Sequence, residues 1–305
     1  MGRVVIFTDD PGWHGRELTR AFAARGFVAH YASLTQCRID LASEPMIVIP
    51  GCESGLPDAV FVRGVPGGSL QDVIFYLDIL HTLKMLGIPV YNDAGAIERS
   101  VDKAMTSVLL QRAGLNLPPT WVLKDRETAT AIAEQELQNG HALISKPLFG
   151  SQGEGVRCYD KSTDLFWLAD SYGVFYLQRF VRCAGIGYSD IRAFVIHGEV
   201  VAVMRRRGQS WLNNVARGAR CEEMQADAEL KWIACRAVQA LSMDYAGVDL
   251  IENRQGEYIV IEVNSIPAWK GLQSVCGINI ADLLVADLLL RKLPQPIDDC
   301  VAMAS

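Results

Sequence analysis

Through about residue 95 the chain alternates short apolar, β-branched runs with helical apolar spacing, and this alternation constrains its fold more than any other feature. Arg3 to Thr8 reads as a buried strand, Asp9-Asp10-Pro11-Gly12 breaks it, and Leu18, Ala21 and Phe22 recur at helical spacing before Gly26. Val28 to Tyr31, Met46 to Ile49, Ala59 to Val62 and Val90-Tyr91 read as further strands. Ser69 and Asp72 stand three apart, the spacing of a reciprocal side-chain cap, so a helix is predicted from there to Gly87. Parallel strands need crossover connections, usually helices, so the pattern predicts a doubly wound parallel sheet over residues 1–95.

The pattern then changes. A helix is predicted near Val101 to Ala113, a break at Pro118-Pro119, a strand over Thr120 to Leu123 and a helix around Thr128 to Leu137. Ala142 to Lys146 and Val156 to Tyr159 read as strands joined by a glycine-rich turn. Tyr176 to Phe180, Asp190 to Ile196, Glu199 to Met204, Gly247 to Glu252 and Tyr258 to Val263 add strands, with covering helices near Asp227 to Leu241 and Asn279 to Leu290. The second part is thus α+β with mainly antiparallel strands, and no internal repeat or low-complexity linker is visible.

Composition narrows the classes. At 305 residues the chain is long enough for about two domains. Half the residues are hydrophobic and 21% charged, which excludes disorder for the bulk of it. A formal charge of −6 (29 Lys and Arg against 35 Asp and Glu) argues against a general nucleic-acid binder. No apolar run reaches the roughly 18 residues of a membrane span, and Val4 to Phe7 is too short for a signal-peptide core, so a soluble, cytoplasmic protein is expected. Cys37, Cys52, Cys158, Cys183, Cys221, Cys235, Cys276 and Cys300 stand singly, which suits buried thiols better than disulfides or a zinc site.

Three segments carry chemistry. Gly150, Gly153 and Gly155 follow Lys146 closely; glycines let backbone N–H groups approach phosphate oxygens, and the lysine adds a point charge. The spacing is neither a Walker loop nor a dinucleotide fingerprint, and a plain glycine-rich hairpin would look the same. Glu262 and Asn264, two apart on a strand, share a face that Asp249 could join from a neighbouring strand, giving three oxygen ligands for a hard cation such as Mg²⁺. Ordinary solvated carboxylates are the alternative, but apolar flanks make an unpaired carboxylate costly there. Asp190-Ile191-Arg192, Arg205-Arg206-Arg207 and Trp211 to Gly218 concentrate cationic and amide groups suited to phosphate and carboxylate oxygens, or else form a solvated basic loop.

The order of these features is more specific than any one of them. Asn92-Asp93, Ile97-Glu98, Asp102-Lys103, Leu117-Pro118-Pro119-Thr120, Ser145-Lys146-Pro147, the turn Gly150 to Val156, Leu177-Gln178-Arg179-Phe180-Val181, Asp190-Ile191-Arg192, Trp211 to Gly218, Ala246-Gly247-Val248-Asp249 and Ile261 to Pro267 together resemble the RimK-like ATP-grasp ligases, the alpha-L-glutamate ligase family, over about residues 88 to 290. The resemblance implies an α/β plus α+β chain: a pre-ATP-grasp parallel-sheet domain at 1–95, a small lid subdomain at 96–180, and a C-terminal subdomain with the metal and phosphate site at 181–305.

Carried over residue by residue, the resemblance makes Lys103 and Lys146 phosphate ligands beneath a mobile lid formed by Gly150, Ser151, Gln152, Gly153 and Gly155. Gln178, Arg179, Phe180 and Val181 become the hinge that reads adenine, and Asp190 and Asn214 contact the nucleotide. Arg192, Arg206 and Arg217 act on phosphates or the acyl intermediate, and Asp249, Glu262 and Asn264 hold Mg²⁺ or Mn²⁺, two ions being expected. Departures from the family pattern are Arg179 at a hinge position often acidic, a different length over Arg182 to Ser189, and Pro267-Ala268 in place of Pro-Gly.

The implied reaction is ATP-dependent ligation of an amino acid to a carboxylate through an acyl phosphate, needing no nucleophilic cysteine or histidine, so His14, His30, His81, His141 and His197 are expected to be structural or at the surface. Family members add L-glutamate to a ribosomal protein, a carrier protein or a coenzyme such as tetrahydromethanopterin. Phe61-Val62-Arg63-Gly64 and Phe75-Tyr76-Leu77-Asp78 resemble the coenzyme-tailing branch. The expected partners are thus a small carboxylate acceptor and an amino acid, L-glutamate first, with no nucleic acid, no membrane and a homo-oligomeric assembly. Arg179, Arg182, Arg207 and Arg220 suggest an acceptor with several carboxylates, and Trp13 could stack on a flat ring or simply pack in its loop. A non-catalytic ATP-binding regulator and a dinucleotide oxidoreductase are the other classes; the complete metal set speaks against the first, and the spacing of Gly12 and Gly15 against the second.

Overall fold

The computed structural model describes residues 1–150, 153–185, 187–212 and 218–293, which form two compact units. The first contains β1 (Gly2–Phe7), α1 (Gly12–Ala23), β2 (Phe27–Ala32), β3 (Arg38–Ile39), β4 (Ile47–Val48), β5 (Ala59–Val62), α2 (Leu70–Met85) and β6 (Val90–Tyr91). Strands β2-β1-β5-β6 make one all-parallel sheet. Its central strands are apolar without alternation because both faces are covered: Val4 to Phe7 and Ala59 to Val62 have no exposed surface. The helix from Ser69 has its reciprocal cap, with Ser69 Oγ accepting from the Asp72 N–H at 3.2 Å and Asp72 Oδ2 accepting from the Ser69 N–H at 2.8 Å. The expected strand Met46 to Ile49 shrinks to β4 and pairs antiparallel with β3, outside the parallel sheet. Pro45 and Pro50 bracket it, and proline cannot donate to a ladder.

The second unit, Gly95–Ile278, starts within α3 (Ala94–Val101) and continues through α4 (Lys103–Arg112), β7 (Thr120–Leu123), α5 (Arg126–Gln138), β8 (Leu143–Ser145), β9 (Arg157–Tyr159) and β10 (Phe175–Arg179). The single helix predicted over Val101 to Ala113 is two: Asp102 adopts an extended backbone, and its carboxylate accepts from the Ala104 and Met105 N–H groups at 2.9 and 3.1 Å. Aspartate is a better N-cap than interior helical residue, and here it makes Lys103 the first residue of a helix. Strands β7-β10-β8-β9 form an antiparallel sheet, with Ala129 and Ala133 of α5 packed on Leu143, Phe175 and Leu177.

The rest of this unit comprises β11 (Tyr188–Ile196), β12 (Glu199–Gly208), β13 (Arg220–Glu223), α6 (Ala228–Ala240), β14 (Tyr245–Glu252), β15 (Tyr258–Asn264) and α7 (Lys270–Gln273). The five strands pair antiparallel in the order β13-β12-β11-β14-β15. Ile191, Ala193, Val195, Val248, Leu250 and Val263 pack on Leu230, Ala234 and Val238 of α6. Burying each large aliphatic side chain contributes about 1.5–3 kcal/mol, and a one-residue slip would turn the intervening charges into α6, so the register is strongly set. The alternate residues, Asp190, Arg192, Asp249 and Glu262 among them, therefore share the opposite face.

Helix α8 (Ile280–Lys292) belongs to the first unit and packs on α1. Arg20 donates to Asp282 at 3.1 Å and the Tyr91 hydroxyl to Asp287 at 2.8 Å. Cys37 and Cys52 are buried free thiols; Cys158, Cys183, Cys221, Cys235 and Cys276 are free but only half-buried, which corrects the expectation for those five. Cys300 lies outside the described residues. No described helix is long and apolar enough to cross a membrane.

Candidate active site

One face of the five-stranded sheet carries an alternating ring of charge. Cross-strand pairing sets Asp190 opposite Arg206, Arg192 opposite Asp249, Asp249 opposite Glu262, and Asn264 opposite Gly247. The Arg192 fork donates to both Asp249 oxygens at 2.7 Å. Arg206 forks onto Asp190 at 2.8 and 2.7 Å and reaches Asp249 at 3.1 Å. Burial pushes the Asp249 carboxyl up, but the two guanidinia outweigh it and hold it at about 2; burial raises Asp190 above the ordinary value despite Arg206. Gly247 leaves room for this arrangement, since a Cβ there would lie 2.9 Å from Pro267 Cβ and 3.6 Å from Arg192 Nε.

Glu262 differs from its neighbours: half-buried, its side chain makes no hydrogen bond or ion pair among the described residues. Asn264 Nδ2 is buried and likewise without a partner. No group of three or more His, Cys, Asp and Glu residues that could hold a metal is found among the described residues. The fit to a hard cation therefore rests on two carboxylates and one amide, the oxygen chemistry that Mg²⁺ accepts with phosphate and water completing the shell.

Two lysines face this acidic pair. The ammonium of Lys146, just beyond β8, donates to Gln178 Oε1 at 2.8 Å. Desolvation lowers its pKa to about 8, although Glu262 and Asp249 favour the charged form. Lys103 is also lowered by burial, against the attraction of Glu262; its Nζ donates to the Gly150 carbonyl at 2.8 Å, tying the start of α4 to the glycine-rich turn. Gly150, Gly153 and Gly155 have φ of +138°, +75° and +69°, conformations that side chains resist, so these three glycines are required by the turn itself. Such desolvated cations without carboxylate hydrogen bonds suit an incoming polyanion.

At the hinge, the Arg179 N–H donates to the Pro119 carbonyl and the Phe180 N–H to the Ala142 carbonyl, whereas the Val181 N–H has no acceptor among the described residues. The Arg179 side chain forks onto Glu136 of α5 at 2.7 and 2.9 Å, which leaves only its backbone for the role expected of the hinge. A cavity of about 450 Å³ adjoins this segment, lined by Pro118, His141, Arg182 and Arg254 among others; none of the lysines or acidic-face residues lines it.

Other expectations fare differently. Arg205, Arg207 and Arg220 are strand residues rather than a solvated loop; Arg205 pairs with Glu252 at 2.8 Å and Arg207 with Glu222 at 2.8 Å. Arg207 and Arg179 are therefore already matched by acids of the protein. Trp13 packs edge-on against His14. Ser151, Gln152, Asn214 and Arg217 lie outside the described residues. Sequence reasoning missed Ser107, Thr120 and Tyr176, which form the polar floor under Gln178, because single hydroxyls in a helix or in apolar strands carry no spacing signal.

Paired antiparallel sheets that bring phosphate-type lysines over an acidic, arginine-rich face define a nucleotide-dependent group-transfer site. The chain belongs to the RimK-like ATP-grasp family, whose domain matches residues 100–288, and its fold is ATP-grasp. It is 38% identical over 240 residues to the tetrahydromethanopterin:alpha-L-glutamate ligase of Methanocaldococcus jannaschii, covering 76% of this chain and 79% of that protein. It is 30% identical to the ligase of the same name from Methanosarcina acetivorans, with 92% and 96% covered. Among solved structures it resembles the ATP-grasp ligase PsnB complexed with minimal precursor, Mg and ADP (TM-score 0.70, 21% identity, 93% and 96% covered). It also resembles a RimK domain ATP-grasp protein from Sphaerobacter thermophilus (TM-score 0.71, 20% identity, 94% and 100% covered).

Proposed function

We propose that this protein is an ADP-forming carboxylate–amine ligase that adds L-glutamate to a carboxyl-bearing coenzyme precursor of the methanopterin type. The reading is carried by one observation: desolvated Lys103 and Lys146 face Glu262, a carboxylate with no hydrogen-bonded partner among the described residues. The names of the two ligases that the chain is 38% and 30% identical to support the acceptor class.

In this reading an acceptor carboxylate oxygen attacks the γ-phosphorus of ATP and ADP leaves. The glutamate amine then attacks the acyl carbon, the C–O bond to phosphate breaks, and the departing phosphate carries away the amine proton. Lys103 and Lys146 hold the phosphates, the Val181 N–H meets the adenine edge, and Arg192 and Arg206 balance charge that develops on phosphoryl and acyl oxygens. Asp249, Glu262 and Asn264 would hold the divalent cations, two Mg²⁺ replaceable by Mn²⁺, which supply charge neutralisation at the phosphates. The glycine-rich turn keeps water from the acyl phosphate. The three-part division of the chain, contacts from Ser151, Gln152, Asp190, Asn214 and Arg217, a homo-oligomeric assembly and a cytoplasmic location complete the proposal.

The test is incubation with Mg²⁺, ATP, L-glutamate and a panel of carboxyl-ended acceptors, a methanopterin and a ribosomal-protein tail among them. One glutamyl increment on the methanopterin, matched by ADP, is the expected result. An increment on the protein tail alone would replace the acceptor class, and the absence of nucleotide turnover with every acceptor would overturn the ligase reading.

A further inference from the structure

The Lys146 ammonium rests on a chain of hydrogen bonds whose direction is fixed throughout. Lys146 can only donate, so Gln178 must present Oε1 to it, at 2.8 Å. The Gln178 amide nitrogen then faces Thr120 Oγ1 at 2.9 Å and the Tyr176 hydroxyl at 3.3 Å. Thr120 gives its own proton to the Pro118 carbonyl at 2.8 Å, so toward Gln178 it can only accept. Ser107 gives its proton to the Lys103 carbonyl at 2.9 Å, so the Tyr176 hydroxyl, 2.9 Å away, donates to Ser107 and likewise accepts from Gln178. Burial raises the Tyr176 phenol above its ordinary pKa and keeps it a donor. Gln178 and Tyr176 are both 3% exposed, so water does not substitute for these partners.

We propose that Thr120, Tyr176 and Ser107 are positioning residues for nucleotide binding: by accepting both amide protons of Gln178 they hold its carbonyl oxygen toward Lys146 and so aim the ammonium at the phosphates. The chain ends on the Lys103 carbonyl at the start of α4, so it links the two phosphate lysines through one buried network. It also explains an amide rather than an acid at 178. A carboxylate would strengthen the attraction to Lys146, but it has no proton for Thr120 or Tyr176, both already committed as acceptors.

The inference rests on the reading of Lys146 as a phosphate ligand, and the test separates the two. Affinities for ADP with Mg²⁺ and for adenosine are measured by calorimetry on Lys146→Met, Thr120→Val, Thr120→Ser and Tyr176→Phe, with the melting midpoint of each. Thr120→Val and Tyr176→Phe should weaken ADP about fivefold to tenfold, the loss of roughly one hydrogen bond, and leave adenosine unchanged; Thr120→Ser should restore ADP binding. Equal losses for ADP and adenosine would mean a merely structural role and overturn the inference, as would unchanged ADP binding in both Thr120→Val and Tyr176→Phe. If Lys146→Met itself binds ADP normally, the phosphate-ligand reading fails and the inference with it. Should Thr120→Val not fold, Tyr176→Phe and Thr120→Ser carry the same comparison.

Discussion

In the nucleotide-free protein Lys146 should be a destabilising residue, held in place for what it binds. Its folded pKa, about 8, lies below the ordinary 10.5 because burial disfavours the charge. The penalty is fully present below about pH 8 and fades as pH rises toward 10.5, since in that window the unfolded chain binds a proton that the folded protein does not. The difference, 10.5 − 8 = 2.5, corresponds to about 3 kcal/mol, and the residue's partial exposure to solvent trims this to about 2–3 kcal/mol. Lys146→Met removes the penalty and leaves Gln178 Oε1 without its donor, a loss of about 1 kcal/mol. The net gain of about 1–2 kcal/mol near pH 7 should raise the melting midpoint by about 2–8 °C in a domain of this size. Calorimetric melts of both proteins without nucleotide, at pH 7 and pH 10, provide the assay. The variant should melt higher at pH 7, and the gap should close by pH 10. A variant that melts lower at pH 7, or a gap independent of pH, would refute the reasoning.

Other substitutions separate binding groups from scaffold. Glu262→Gln should abolish ADP release while denaturant unfolding shifts by less than about 1 kcal/mol, because no described hydrogen bond is lost; Asp249→Asn should cost about 3–5 kcal/mol, because Arg192 and Arg206 lose a buried counter-charge. Gly247→Ala should lower kcat about tenfold or more with ADP affinity unchanged, as the new Cβ would lie 2.9 Å from Pro267 Cβ and β14 or the Pro267 segment must shift beside the acidic face; near-normal turnover would sink that reading. Arg179→Met should lower stability by about 1–2 kcal/mol in urea unfolding and leave ADP affinity intact, since its side chain serves Glu136.

Periodicity was most informative where a single face decided an element. The continuous apolar runs at Val4 to Phe7 and Ala59 to Val62 specify a parallel sheet covered on both sides, and the alternation through Asp190 to Ile196 specifies a strand with one functional face. The shared face of Glu262 and Asn264 followed from their spacing, and strand pairing places Asp249 beside Glu262. Local propensity misled where one residue switched role: Asp102 reads as part of a helix but caps a new one, and that break fixes Lys103 at its start. Pairing between distant segments left no local trace. The Arg179 to Glu136 fork, the partners of Arg207, and the Thr120 to Gln178 bond join residues 43, 15 and 58 positions apart, and only the tertiary fold brings them together.

The central claim is ligation through an acyl phosphate, and the most direct measurement follows a single oxygen. An acceptor labelled with oxygen-18 in its carboxylate is turned over with Mg²⁺, ATP and L-glutamate, and the released phosphate is analysed by mass spectrometry. The account predicts that one labelled oxygen moves from the acceptor into inorganic phosphate for each amide formed, with ADP as the nucleotide product. Unlabelled phosphate, or label recovered in AMP, would contradict it.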